Sequence, residues 1–505
     1  MRMIIERVRR ARRHALHYDV AAQEPVAMDQ TDLSVSAPAA AVQAALAPRA
    51  AAPEPQQLSR SLSPRHVTMI SMGGMIGAGV FVGSSAAIAA VGPAIVLSYL
   101  IAGILILLVM RMLAEMATAL PKVRTFTEFA RSGLGSAAGF VVGWLYWYFW
   151  IITVAVEAIA GAALLHIWIA LPTWLLGVGL IAIMTGVNLM SARSFGEFEF
   201  WFASIKVGAI IVFIALAGGY ATGLLSPSGP TWSNLFSHGG FMPRGAVAVL
   251  AGVTTVFFSL TGAEITTVAA AESRDPARAL TRMTTSVITR IVIFYVGSVF
   301  LIVAVVPWDS IVPGHSPFTH ALLAMRYAWA GSAMSLIILT AVLSCLNSAF
   351  YVTSRVLFTL AEHRDAPQWM VKLNPRHVPA RSVLAGTAAG LIGVFAATFS
   401  PTGVFAFLVN ASGALILYVY MLTAIAQIRL RQRINASTLP LRMWWYPWSS
   451  YAAIAGMVAV LLAMAVTPSH ASEFWVSLTT LAVALCAYAL TAYQRSRRSA
   501  SGGTS

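Results

Sequence analysis

Charge is scarce in this chain. Asp, Glu, Lys and Arg make up only 10% of its 505 residues, against roughly a quarter in a soluble globular protein. That excludes a soluble protein of several domains. Acid is scarcer than base, with 18 Asp and Glu against 33 Lys and Arg and a formal net charge of +15. Cysteine is nearly absent: Cys345 and Cys486 both lie inside apolar runs, so there is no disulfide framework. No grouping of Cys, His, Asp or Glu has metal-ligand spacing. No Ser/His/Asp or Gly-x-Ser-x-Gly arrangement occurs. These gaps speak against a resident metal and against an enzyme, and nothing implies a cofactor.

What is present is apolar, at 58% of residues besides 37 glycines. From Pro64 onward, runs of roughly 17 to 25 apolar residues recur, the length needed to cross about 30 Å of hydrocarbon as a helix. Twelve are expected, near 67–91, 94–119, 136–166, 171–191, 199–219, 245–271, 286–308, 331–358, 383–399, 402–428, 450–467 and 473–493. The fold class is an all-α polytopic membrane protein. Residues 1–62 read otherwise: an Arg-rich opening (Arg2, Arg7, Arg9, Arg10, Arg12, Arg13), then Ala, Pro and Gln with no apolar period. They contain no apolar signal region and are expected to form a disordered cytoplasmic tail, with Met28 an alternative start. A helical membrane domain over 63–494 and a cytoplasmic tail over 495–505 complete the expected organisation.

In a soluble protein the basic excess would point to nucleic acid. Here it matches the Lys and Arg that cytoplasmic loops accumulate, and no nucleic-acid partner is expected. With the N-terminus inside, all but three of the 33 basic residues fall on the cytoplasmic side. Arg244 and Arg326 lie outside, and Lys206 falls within a run. Both termini are therefore expected in the cytoplasm.

Two runs break their own pattern. The first holds five glycines between Gly73 and Gly83, each costing a helix about 1 kcal/mol relative to Ala. Single glycines in spans pack helices, whereas a dense cluster at mid-membrane marks unwound backbone lining a cavity. Its GxG spacing does not make it a nucleotide loop, because no strand precedes it. The sixth run holds Phe258-Ser259-Leu260-Thr261-Gly262-Ala263-Glu264. If the first ten runs form two halves of five, these interruptions correspond, the sequence sign of a transporter with inverted repeats and a midplane site. Freed N–H groups there suit an anionic group and freed carbonyls a cationic one, so the site suits a zwitterion.

Three ionisable residues fall inside runs: Glu157 (third), Lys206 (fifth) and Glu264 (sixth). Each costs about 2.5–3.5 kcal/mol or more at mid-bilayer. Lys206 is either a proton carrier or a permanent tether to carbonyls of the first run. Glu264 either relays protons or caps an interrupted half-helix. Glu157 follows Trp144, Trp147 and Trp150 on one long helix and either lines a vestibule or makes a structural polar contact. Arg111 and Glu115, spaced i, i+4, are expected to form a local ion pair.

At these residues the chain resembles the amino acid permease branch of the amino acid–polyamine–organocation superfamily, over roughly 60–493. The matching stretches are the first glycine cluster with Arg65-His66 before it, Gly196-Glu197-Phe198-Glu199-Phe200-Trp201, Lys206, Phe258 to Glu264, Ala271-Glu272-Ser273 with Pro276, and Ala366-Pro367. Within the branch it is most similar to bacterial γ-aminobutyrate permeases, through Met110 to Ala117, Gly143 to Trp147, Gly262 to Ile265, Ser344 to Ala349, and Leu441 to Trp444 followed by Tyr446-Pro447-Trp448. The resemblance implies twelve helices with five-plus-five inverted repeats of the LeuT-like kind. It implies proton-coupled import of an amino acid, γ-aminobutyrate first and neutral or aromatic α-amino acids as the alternative, across the bacterial cytoplasmic membrane. A transport-dead nutrient sensor is the remote alternative. By carry-over, Ile76, Gly77, Ala78 and Gly79 bind the substrate carboxylate, and Phe258, Ser259, Leu260 and Thr261 supply carbonyls for the amine and a gating ring. Lys206 stands where sodium-coupled relatives hold an ion, its ammonium replacing that ion; Lys206 and Glu264 are the candidates for proton coupling.

Single cysteines in the basic loops at Arg278, Lys372 and Arg431 should resist an impermeant thiol reagent applied to intact cells. Labelling at all three would reverse the topology.

Overall fold

Backbone in hydrocarbon has no water to bond, so a long apolar run must satisfy its amides internally, as a helix. In the computed structural model every regular element among the described residues is helical. Those residues are 74–120, 123, 125–190, 192–265, 291–434, 439 and 441–501. The expected tail over 1–62, Arg65-His66, Gly73, Lys122, Arg124, Ala271 to Ser273, Arg274, Pro276, Arg278 and Arg282 lie outside them.

The helices are α1 (Gly79–Val91), α2 (Ile95–Ala119), α3 (Phe126–Leu134), α4 (Ser136–Leu165), α5 (Thr173–Asn188), α6 (Ala192–Ala221), α7 (Gly245–Leu260), α8 (Ile291–Val305), α9 (Pro317–Ala324), α10 (Ala328–Glu362), α11 (Ala380–Ala396), α12 (Pro401–Arg433), α13 (Trp448–Val466) and α14 (Ala471–Ser501). Seven are long and apolar enough to cross a membrane: α2, α4, α6, α10, α12, α13 and α14. Five more, α1, α5, α7, α8 and α11, are apolar but shorter. α14 continues to Ser501, through the segment expected as a tail. The short α3 and α9 are set by local chemistry. α3 begins with a capping box of Thr125 and Glu128 and ends at Gly135, whose φ of +92° turns the chain into α4. α9 begins at Pro317 behind Ser316, whose side chain accepts the Thr319 N–H.

α4 is the central helix. It packs against α3, α5, α10, α11, α12 and α14. α10 lies between α4 and α6, while α7 packs on α1, α2, α12 and α13. The first interrupted segment meets α4 and α10, and the second meets α4 and α12.

The expected Arg111–Glu115 pair does not form. Glu115 is buried and accepts hydrogen bonds from Gln427 Nε2 (2.7 Å), Arg431 (2.6 Å) and the Met443 N–H (2.5 Å). Arg111 instead donates to the Arg442 carbonyl at 2.9 Å and lies 4.8 Å over the Trp444 ring. The reason is burial: once α12 and the segment before α13 close over Glu115, three donors at fixed positions replace the solvent that a local pair would share. The Leu441-to-Trp448 stretch thus has a structural task, wrapping one buried carboxylate. A second anchor is Asp365, just after α10, whose carboxylate binds Arg131 of α3 and Arg495 of α14.

Glu115→Ala should lower stability by about 3–5 kcal/mol because it strands Arg431 and the Met443 amide, whereas Arg111→Ala should cost about 1 kcal/mol. Thermal unfolding of the detergent-solubilised protein reads both. Equal losses would restore the local pair.

Candidate functional site

Before α1 the chain runs without regular helix from Gly74 to Gly77, and α1 itself opens with a π-helical turn, Gly79–Gly83. The break frees backbone groups from the i→i−4 ladder. Several of them find side-chain partners, the Gly74 carbonyl accepting from Cys345 Sγ at 3.5 Å. The Ala78 N–H donates to both oxygens of Glu157, each at 3.0 Å, and the Ile76 carbonyl accepts from Lys206 Nζ at 2.8 Å. Two residues apart, the broken stretch of backbone thus holds a carboxylate and an ammonium. Lys206 also donates to Ser344 Oγ of α10 at 2.8 Å. The glycines make this approach possible. A Cβ at Gly77 would collide with Glu157 Oε1 and lie 2.7 Å from Cys345 Cβ.

The second break follows α7. Thr261 is extended and Gly262 sits at φ +123°, where a side chain would be strained and would press on the Gly74 carbonyl. Glu264 closes this end. Its carboxylate accepts the Gly262 N–H (3.0 Å) and the hydroxyls of Tyr146 (3.2 Å) and Tyr420 (2.8 Å). These bonds tie the break to α4 and α12.

Between the breaks lies a cavity of about 10 Å³, room for about one water. Gly77, Gly79, Phe258, Ser259 and Thr261 line it together with Glu157. Its wall is aromatic: Phe149 stands 5.3 Å from Trp150 and 6.2 Å from Phe258, centroid to centroid. Ile76, Ala78 and Leu260 are buried beside it without lining it. A wider cavity of about 500 Å³ opens along the same helix toward Leu164. Ile159 and Ala160 line it, with His315, Ser316 and Ser335 on other sides. Less than a turn of α4 separates its lining from Glu157.

A profile of the amino acid permease family matches residues 66–496, well over half the chain. The chain belongs to the amino acid permease family. This permease is 45% identical to a probable GABA permease of Pseudomonas aeruginosa, over 88% of this chain and 95% of that protein. It is 42% identical to the γ-aminobutyric acid permease of Bacillus subtilis (85% and 93% covered) and 43% identical to that of Escherichia coli (83% and 91%). The expectation of an integral membrane transporter rather than an enzyme is thereby met.

In the permease, sequence reasoning located both breaks and three carboxylate or amine groups near them, and it left the partners of each open. It missed that Cys345 lines the small cavity and that Ser344 and Glu199 stand beside Lys206. Ser344 Oγ bridges Lys206 and Glu199 Oε1, and Cys345 lines the small cavity. Glu199 stands seven residues before Lys206 on α6, two turns along the same helix face, and that spacing was a readable signal.

Gly77→Ala should cut uptake of labelled amino acid at least about tenfold at matched membrane abundance, because the added Cβ displaces Glu157 or Cys345. Gly208→Ala on α6, where a Cβ meets open space, should leave uptake intact and add up to about 1 kcal/mol of stability. Similar effects from both would detach the glycine cluster from transport.

Proposed function

We propose that this permease imports γ-aminobutyrate across the bacterial cytoplasmic membrane by proton symport. The observation that carries the reading is the Glu157 carboxylate on the Ala78 amide. It occupies the kind of donor that a substrate carboxylate needs, at the position where the family resemblance sets it. A carboxylate arriving there displaces Glu157, and the glycines at 77 and 79 allow close approach of the backbone. The substrate's ammonium then meets the aromatic wall of Phe149, Trp150 and Phe258 and the carbonyls freed after α7, a setting for cation–π contact. Ile76 to Gly79 and Phe258 to Thr261 form the substrate site in this reading. Opening it requires the breaks to move apart, since the present cavity holds about one water.

The names of the three relatives support γ-aminobutyrate as the substrate. The proposed architecture has twelve spans, the five shorter apolar helices joining the seven long ones, with five-plus-five inverted repeats in the first ten. Both termini lie in the cytoplasm, with residues 1–62 and 495–505 flanking the membrane domain. The 500 Å³ cavity then faces outward as the entry vestibule. Lys206 carries the coupled proton, and its contact with the Ile76 carbonyl links its charge to the substrate-binding break. Glu264 takes the supporting role, fixing the broken end of α7.

Counterflow and uptake by the full chain in proteoliposomes test the reading. γ-Aminobutyrate and its ω-amino homologues should compete for labelled γ-aminobutyrate far better than phenylalanine or proline. Saturable transport of an α-amino acid untouched by excess γ-aminobutyrate would refute the substrate. Lys206→Ala should abolish accumulation driven by a pH gradient, and retained accumulation would leave Lys206 as a tether alone.

A further inference from the structure

Glu199 is a fully buried carboxylate that the substrate site does not use. It lies on α6 on the side of Lys206 toward Ala192, where α6 begins. Lys206 Nζ donates to Ser344 Oγ at 2.8 Å, and the Ser344 hydroxyl donates onward to Glu199 Oε1 at 2.5 Å. Both hydrogen bonds run in the same sense, so the hydroxyl is oriented to accept a proton on one side and release one on the other. Beyond the carboxylate, Asn347 and Ser348 of α10 stand beside it. Asn347 Oδ1 in turn accepts from Asn188 Nδ2 at 2.8 Å, and Asn188 is the last residue of α5. Polar side chains thus run from Lys206 to the end of α5, where the chain turns into α6.

We propose that Glu199 is the proton acceptor that discharges Lys206 through the Ser344 hydroxyl and hands the proton toward the face where α5 ends and α6 begins. This rests on the reading of the protein as a proton symporter. In the step an N–H bond of the Lys206 ammonium breaks as its proton bonds to Ser344 Oγ. The original Ser344 O–H bond breaks as that proton bonds to Glu199. The products are a neutral amine and a neutral carboxylic acid, and no other reactant is consumed. Transfer removes two opposite charges from a buried site at once, which keeps the two states close in energy where moving a lone charge would not. The other titratable groups facing Lys206 are Glu157 from α4 and Cys345 from α10. Glu157 is held by the Ala78 amide. Its release by an arriving carboxylate changes the field at Lys206, which ties proton transfer to substrate binding.

The test uses the full chain in proteoliposomes with labelled γ-aminobutyrate, read as pH-gradient-driven accumulation and as counterflow at equal pH. Glu199→Gln keeps the shape and still accepts from Ser344. It should lower driven accumulation by at least about tenfold and flatten its dependence on external pH, with counterflow within about twofold of wild type. Ser344→Ala should likewise lower driven accumulation and flatten its dependence on external pH, with counterflow spared. Wild-type accumulation in Glu199→Gln would overturn the relay, and so would parallel loss of counterflow, which would mark Glu199 as a structural post. Retained gradient-driven accumulation in Lys206→Ala would take Lys206 out of coupling and the relay with it, whereas no gradient-driven accumulation in wild type would take down the symport reading itself.

Discussion

A break in a buried helix leaves amides and carbonyls with no water to bond, and every such group must find a partner or lose several kcal/mol. The structure depends on how that demand is met at Ile76 and Ala78. One carbonyl takes an ammonium from α6, and one amide takes a carboxylate from α4. Three elements distant in sequence are tied at a single point of bare backbone. The glycines around it are there because nothing larger leaves room for Glu157 and Cys345 to reach that point.

The second break is satisfied differently. Glu264 reaches back to the Gly262 amide and is held in turn by two tyrosines, one from α4 and one from α12. The two breaks therefore lean on the same central helix, α4, which supplies Glu157 to one and Tyr146 to the other. A shift of α4 relative to α7 or α1 would be felt at both.

Away from the cavity, buried carboxylates again organise the packing. Glu115 gathers α12 and the chain leading into α13, and Asp365 gathers α3 and α14 around the end of α10. Each has its charge answered by arginine, whose planar donors suit a buried carboxylate better than lysine's point charge. The one deeply buried lysine among the described residues is at the breaks, where carbonyl and hydroxyl oxygens are its neighbours.

The sequence by itself determined what depends on neighbours along the chain. Scarce charge and recurring apolar runs dictated helices in a membrane. Clustered glycines at 74–83 and Thr261-Gly262 located the breaks, since helix cost is local and additive. The glycine-rich stretch and Lys206 were also legible as related, because an ammonium in an apolar run needs carbonyl oxygens and broken backbone supplies them. Which carboxylate meets which donor was decided only by the tertiary structure. Glu115 and Arg111 are ideally spaced for each other, yet Arg431, more than 300 positions away, displaces the local partner once α12 packs against α2. Glu157 gave no sign of reaching Ala78, and Glu199 passed as part of an aromatic-rich motif until α10 brought Ser344 between it and Lys206. Hydrogen bonding in hydrocarbon goes to the donor that packing delivers, and helix-to-helix neighbourhood is not written in the spacing of residues along one helix.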